Sequence, residues 1–208
     1  MTEHPSTRMP PEKRAALYRT ASAEFAEHGF TRASLNRIIA AVGMSKSSFY
    51  HYFENKTDLF RQTLDSALAP FIAARDSFDL DQLDSQTFWP EIREMTSAMA
   101  LMANRSPELL MVGRMFYRSF ENPGERELTR DIMDMARDWM QGLIARGQEL
   151  GLVRRDLPPD FMIDALMALG TGIDRWFLQN WEKLSETERL HLNDQAFDLL
   201  RRLMVPMT

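Results

Sequence analysis

The stretch SLNRIIAAVGMSKSSFYHYFENK, residues 34–56, decides how the rest of the chain is read. Ser34 is a side-chain acceptor placed just before Leu35, Ile38, Ile39 and Val42, whose spacing predicts a short helix with one inward face. Gly43 ends that helix, and Ser45 opens another that runs from about Lys46 to Phe53. Met44 before this start and Phe49 inside it have the spacing of a hydrophobic staple. Two short helices joined by a tight glycine turn make a helix-turn-helix. In the second of them Phe49 and Phe53, four apart, predict the buried stripe. Lys46, Ser47, Ser48, Tyr50, His51 and Tyr52 are then left as donors and aromatic tips on the other sides, with Lys56 just beyond. Such a face fits a major groove, where a recognition helix offers its N-terminal residues to base edges and its flanks to phosphates. The bland alternative has the rings merely covering a core. The glycine turn, the staple, the lysine flanks and the local charge together outweigh it.

Upstream, Pro11 suits the first turn of a helix. Leu17, Ala21 and Phe25 follow on one face, with Gly29 as the stop and Phe30 folding back. Residues 1–10, with Pro5 and Pro10 and few large apolar groups, read as a flexible arm. Downstream, Asn55 caps a fourth, long helix with Asp58 in its first turn. The polar stretch from Arg75 to Gln86 reads as a loop. Helices are predicted over about Phe88 to Asn104, Pro107 to Phe120, Glu125 to Leu150, Pro159 to Trp181, and Ser185 to Met204. Ser185 and Glu188 have capping-box spacing. The expected fold is therefore all-α with about nine helices. It divides into a flexible arm at 1–10, a three-helix helix-turn-helix domain at 11–55 and a helical ligand-binding and dimerisation domain at 56–208.

Composition narrows the function. The 208 residues are 44% hydrophobic and 26% charged, an ordinary globular balance. The absence of Cys excludes disulfides, thiolate metal sites and a thiol nucleophile. The formal charge is -5, but residues 1–62 hold nine Lys and Arg against six Asp and Glu, so a basic segment precedes an acidic body. No apolar run approaches the ~20 residues that span a bilayer, no signal-peptide pattern opens the chain, and a soluble cytoplasmic protein without membrane contact is expected. His4, His28, His51 and His191 lie far apart without metal-ligand spacing, and there is no G-x-S-x-G or phosphate-cradling glycine loop. No cofactor, metal or catalytic role is expected, and catalysis from scattered carboxylates has no positive support.

The segment from about Glu12 to Phe60 resembles the DNA-binding domain of the TetR family of bacterial transcriptional regulators. The resemblance is carried by Leu17, Ala21, Phe25, Gly29-Phe30, Ser34, Ile38, Gly43, Ser45-Lys46, the run Phe49 to Phe53, Asn55-Lys56 and Leu59-Phe60, about a quarter of the chain. It implies double-stranded DNA as partner, read as a palindromic operator by a homodimer. It also implies release, usually of a repressor, by a small-molecule effector. Carried over position by position, it implies DNA contacts from Ser34, Ser45, Lys46, Ser47, Ser48, Tyr50, His51, Tyr52 and Lys56, with Lys56 and Ser34 on phosphates. Ser47 stands where many members have Gly, and Ile39 is bulkier than the Ala often found at its place, so an operator cannot be copied from relatives.

The body is rich in Met and aromatics, and thioether chains repack readily around different shapes. On the strength of the resemblance, Met99, Met102, Met115, Phe116, Trp139 and Trp176 are candidates to line an effector pocket. Arg114, Arg118 and Asp174 could orient a polar end, although a solvated or paired charge explains each as well. For the dimer, Met162, Leu166, Leu169 and Ile173 would meet Leu192, Leu199 and Leu203 of the last helix in a four-helix contact; the competing reading buries both helices within one subunit. Phe161, Ala165, Ala168 and Gly172 form an adjoining stripe whose small members allow close approach. One alternative keeps the DNA-binding domain and replaces the small molecule by a protein partner or by no effector.

Overall fold

Apolar spacings of three and four become, among residues 3–206 described by a computed structural model, nine α-helices and no strand. They are α1 (Pro11–Arg32), α2 (Leu35–Ala41), α3 (Lys46–Tyr52), α4 (Lys56–Asp76), α5 (Phe88–Arg105), α6 (Pro107–Glu121), α7 (Arg130–Glu149), α8 (Pro159–Asn180) and α9 (Glu186–Met204). The chain divides into two units. The first comprises residues 1–69 and 107–131, and the second residues 70–106 and 132–208, with Pro70 inside α4 at the division.

The first unit holds α1 to α3, the start of α4, and α6. Leu17, Ala21 and Phe25 of α1 meet Ile38, Phe49, Leu59 and Phe60 in a core where each is at most 1% exposed. Phe25, Phe30 and Phe60 pack as mutual ring contacts at 5.1 to 5.9 Å, among the orientations aromatic pairs favour. α6 lies along α1 and adds Val112, Met115 and Phe116 to the buried set. Residues 107–131 thus cluster with the N-terminal helices, whereas the sequence division placed them with the C-terminal body. The cause is non-local, since α6 buries its apolar face on α1 about 90 residues upstream.

Gly29 breaks the first helix as expected, with a non-helical φ of +74°, and a short helical turn runs on to Arg32 beyond the kink. One further expectation changes here. Residues 3–10 are not a free arm, because Pro5–Arg8 form a 3-10 turn with Ser6 2% and Met9 1% exposed. Residues 1 and 2 lie outside the described residues.

The second unit is built on Leu83, Phe88, Trp89, Ile92, Leu143, Ile144, Val153, Ile163 and Phe197, with α9 against both α5 and α8. Arg93 of α5 pairs with Asp194 and Asp198 of α9, while its guanidinium lies 4.4 Å above the Phe197 ring. The predicted loop from Arg75 to Gln86 is shorter than expected, as α4 runs to Asp76 and Leu80–Gln82 form a 3-10 turn. α7 starts at Arg130, later than the expected Glu125. The capping box at Ser185 and Glu188 forms in full.

Met162 and Leu166, expected at a dimer interface, are each 2% exposed in this unit's core. They cannot face a partner. The adjoining stripe on α8 is the outward one instead: Phe161 is 59% and Trp176 47% exposed, with Ala165, Ala168 and Gly172 exposed between them. Leu199 and Leu203 of α9 are also exposed, while Leu169, Ile173 and Leu192 are half-buried. The helical offset of one residue between the two stripes is what apolar spacing alone left unresolved.

Candidate DNA interface

α3 has only seven residues, too few to hold a helix without tertiary support. Its support is visible at both ends. At the start the Ser45 hydroxyl accepts the Ser48 N–H at 3.1 Å, and Met44 and Phe49 are 5% and 0% exposed, as the staple spacing predicts. Gly43 in the turn takes φ +61°, a conformation L side chains rarely adopt. At the end Phe53, 2% exposed, stacks on Phe49 at 5.2 Å. With this stripe inward, Ser45, Lys46, Ser47, Tyr50 and His51 are exposed, and Ser48 and Tyr52 are half-buried. Tyr50 is 58% exposed, a large amphipathic ring held out from the surface.

The neighbouring turns are closed by side chains. Ser34 caps α2 by accepting the Arg37 N–H at 3.3 Å, and its own N–H donates to Glu24 at 2.7 Å. Arg37 hydrogen-bonds to Glu24 as well, and this contact foremost holds the Glu24 carboxyl below its ordinary range. Asn55 accepts the Asp58 N–H at 3.0 Å, and Asp58 accepts the Glu54 N–H at 2.9 Å, which closes the turn between α3 and α4.

Lys56 departs from its expected role. Its ammonium donates to the carbonyls of Phe30, Thr31 and Ala33 at 2.7, 3.3 and 3.0 Å and lies 4.7 Å above the Phe30 ring. All three donors are committed to the carbonyl end of α1, where a cation also suits the helix dipole, so a phosphate would have to displace one of them. Desolvation lowers the Lys56 pKa from its ordinary value. On the other side of the same turn, the Glu125 carboxylate accepts the N–H groups of Phe30 and Thr31 at 3.3 and 3.1 Å. It also accepts the hydroxyls of Thr31 and Ser119 at 2.8 and 3.0 Å. Burial alone would raise the Glu125 pKa, but these hydrogen bonds outweigh it and hold the carboxyl below the ordinary range. Arg118 of α6 donates to the carbonyls of Ala26 and Glu27, each at 2.8 Å, so it serves α1 rather than a ligand.

The end of α1 and its corner with α2 are therefore clasped on their carbonyl groups by Lys56 of α4 and Arg118 of α6, and on their N–H groups by Glu125 in the turn after α6. Neither Glu125 nor Arg118 carries a sequence signal for this role, since each acts across more than 90 residues. Lys56→Ala separates the two roles of the lysine. Loss of a cap is expected to lower both stability and DNA affinity, by about 1.5–3 kcal/mol, with the slope of log K against log salt unchanged. Loss of a phosphate contact would instead shrink that slope by about 0.9.

The candidate pocket residues are divided between the two units. Met115 and Phe116 sit in the core of the first unit at 0% and 8% exposure. Met99, Met102 and Trp139 are half-buried in the second unit, and Trp176 points outward there.

Comparison with known proteins agrees with this architecture. Residues 17–63 match the profile described as bacterial regulatory proteins, tetR family. The HTH-type transcriptional repressor DhaR of Mycobacterium sp. (strain GP1) is 26% identical over 156 residues, 71% of this chain and 73% of that protein. SmeT, the repressor of the Stenotrophomonas maltophilia multidrug efflux pump SmeDEF, shares the fold in its complex with triclosan. The TM-score is 0.73 at 22% identity, over 94% of this chain and 92% of that one. FadR of Bacillus subtilis, solved with stearoyl-CoA, has a TM-score of 0.71 at 17% identity over 89% of this chain and 96% of its own. Residues 17–63 thus resemble the DNA-binding segment of bacterial regulatory proteins of the tetR family, within a helical fold shared with these structures along nearly the whole chain.

Proposed function

We propose that the protein represses transcription as a homodimer, binding a palindromic operator through two copies of α3 and leaving it when a small molecule enters the helical body. The observation that carries this reading is the outer face of α3, where Lys46, Ser47, Tyr50 and His51 are exposed while Phe49 and Phe53 anchor the helix from behind. One seven-residue helix reads too few bases. Two copies related by a dyad, about 34 to 36 Å apart, read successive major-groove turns.

The dimer reading is supported by the apolar stripe from Phe161 to Trp176 and by exposed Leu199 and Leu203. A patch of that kind is uncommon on a surface meant for water, and the small residues within it let a second helix approach closely. The effector reading draws on the relatives, of which SmeT and FadR were solved with triclosan and stearoyl-CoA. It also draws on Trp139, whose indole N–H is buried in the second unit without a hydrogen-bond partner and so is free to meet an acceptor on a ligand. The effector acts by binding better to the conformation whose reading helices do not fit successive grooves. No helix of the described residues is long and apolar enough to cross a membrane, in keeping with a regulator that meets DNA in the cytoplasm.

The test is selection of bound duplexes from a random-sequence library, followed by affinity titrations at several salt concentrations. A two-fold-symmetric consensus bound far above random DNA is expected. Ser48→Ala and His51→Ala should change the preferred bases, at about 1–3 kcal/mol per contact, whereas Tyr50→Phe should weaken all sequences alike. Weak binding without sequence preference would overturn the operator reading.

A further inference from the structure

The 3-10 turn near the N-terminus is bound into the reading unit more firmly than a chain end needs. Ser6 donates its N–H to His4 Nδ1 at 3.2 Å, and its hydroxyl is 2.8 Å from the same nitrogen. Nδ1 is thus an acceptor, which leaves the ring proton on Nε2, 3.1 and 3.3 Å from the two Asp58 oxygens. The Tyr18 hydroxyl donates to Ser6 Oγ at 3.2 Å. A directed chain of hydrogen bonds therefore runs from α1 through Ser6 and His4 to Asp58. Asp58 in turn holds the Glu54 N–H and closes the corner between α3 and α4. The His4 ring also packs on Phe53, 5.8 Å away, and Phe53 is the residue that caps the end of α3. Arg14 ties the turn back to α1 through the carbonyls of Ser6 and Thr7, and Met9 anchors it in the core at 1% exposure.

We propose that His4 and the turn Pro5–Arg8 are a positioning strap for α3. The strap sets the direction of the reading helix through Asp58 and Phe53 and touches no DNA. The reason lies in the length of α3. A seven-residue helix has its axis set by whatever grips its ends. The staple grips the start, and at the far end the corner at Asp58 is braced by His4. Slack there tilts the tips of Tyr50 and His51 relative to base edges, and contacts that need good hydrogen-bond geometry weaken first. His4 and Ser6 thus become affinity determinants remote from the bases.

This inference rests on the DNA-binding reading above, and the experiment separates the two. The probe is the duplex that the full-length protein itself selects from a random library. His4→Ala is expected to lower affinity for it about three- to tenfold, with an unchanged salt slope because no phosphate contact is lost. His4→Gln, whose amide N–H reaches the position of Nε2–H, should recover most of the loss. Affinity within twofold of wild type in His4→Ala overturns the strap. So does a salt slope smaller by about one, which would place His4 on a phosphate. Equal losses in the Gln and Ala variants overturn it as well. Should His4→Ala not fold, Ser6→Ala carries the test, with a two- to fourfold loss expected from one hydrogen bond and no loss counting against the strap. If the wild-type protein selects no duplex at all, the DNA-binding reading fails and the strap falls with it.

Discussion

Replacing Glu125 by alanine is expected to destabilise the first unit by about 3 kcal/mol, because it orphans two backbone donors that no rotation can re-partner. The N–H groups of Phe30 and Thr31 point at its carboxylate from the corner between α1 and α2, and Glu125 is 4% exposed, so water cannot replace it freely. The hydroxyls of Thr31 and Ser119 lose the same acceptor but can turn elsewhere. The four tyrosines, Tyr18, Tyr50, Tyr52 and Tyr117, all fall in the first unit, and the four tryptophans, Trp89, Trp139, Trp176 and Trp181, all in the second. Unfolding followed by tyrosine absorbance and by tryptophan fluorescence therefore reports each unit separately. The tyrosine transition should move by the larger amount, and equal stability of variant and wild type in that signal would refute the role. The pH dependence has a definite sign. The carboxyl is held below the ordinary glutamate value of 4.5, so its stabilisation is complete above that value and fades as pH falls through the lowered one. The gap between wild type and Glu125→Ala should accordingly narrow in acid.

The second large effect is expected from Leu199→Glu combined with Leu203→Glu. Both side chains are exposed in the single chain, so the charges cost little in a monomer. In a two-fold interface each charge appears twice and meets its own symmetry mates in a desolvated contact. The double variant should sediment as a folded monomer at micromolar concentration and lose operator affinity by about 100-fold or more, since two half-sites are no longer held at one spacing. Unaltered dimerisation would place the interface elsewhere. A control on the buried side, Met162→Ala, should lower stability by about 2–5 kcal/mol instead of changing the oligomeric state, because Met162 fills the core of its own subunit.

How far the chain could be read from its order of residues differs by element. The reading helix was legible in advance because every signal that defines it is local. The Ser45 cap, the staple of Met44 and Phe49, the Gly43 turn and the stripe of Phe49 and Phe53 all lie within eleven residues. The capping box at Ser185 was legible for the same reason. The α8 stripe was only half legible. Its period was clear, but two adjoining stripes differ by one residue of rotation, and nothing in the spacing says which is covered by the protein's own core. The clasp of Lys56, Arg118 and Glu125 left no trace, as most of its partners are backbone groups that any residue would offer and all lie far off in sequence except Ser119.

Local physics thus settled the helix content, the helix-turn-helix and the face that α3 turns outward, because caps, turns and apolar periods act within a few residues. Tertiary packing settled what those local rules leave degenerate. It placed α6 with the reading unit and spent the Lys56 ammonium on α1 carbonyls instead of leaving it free for a phosphate. It also buried Met162 and Leu166 while exposing Phe161 and Trp176, and it strapped residues 4–9 onto the corner at Asp58. Each of these choices turns on which distant surface arrives to cover a given group, and the desolvation that decides it exists only once both surfaces have met.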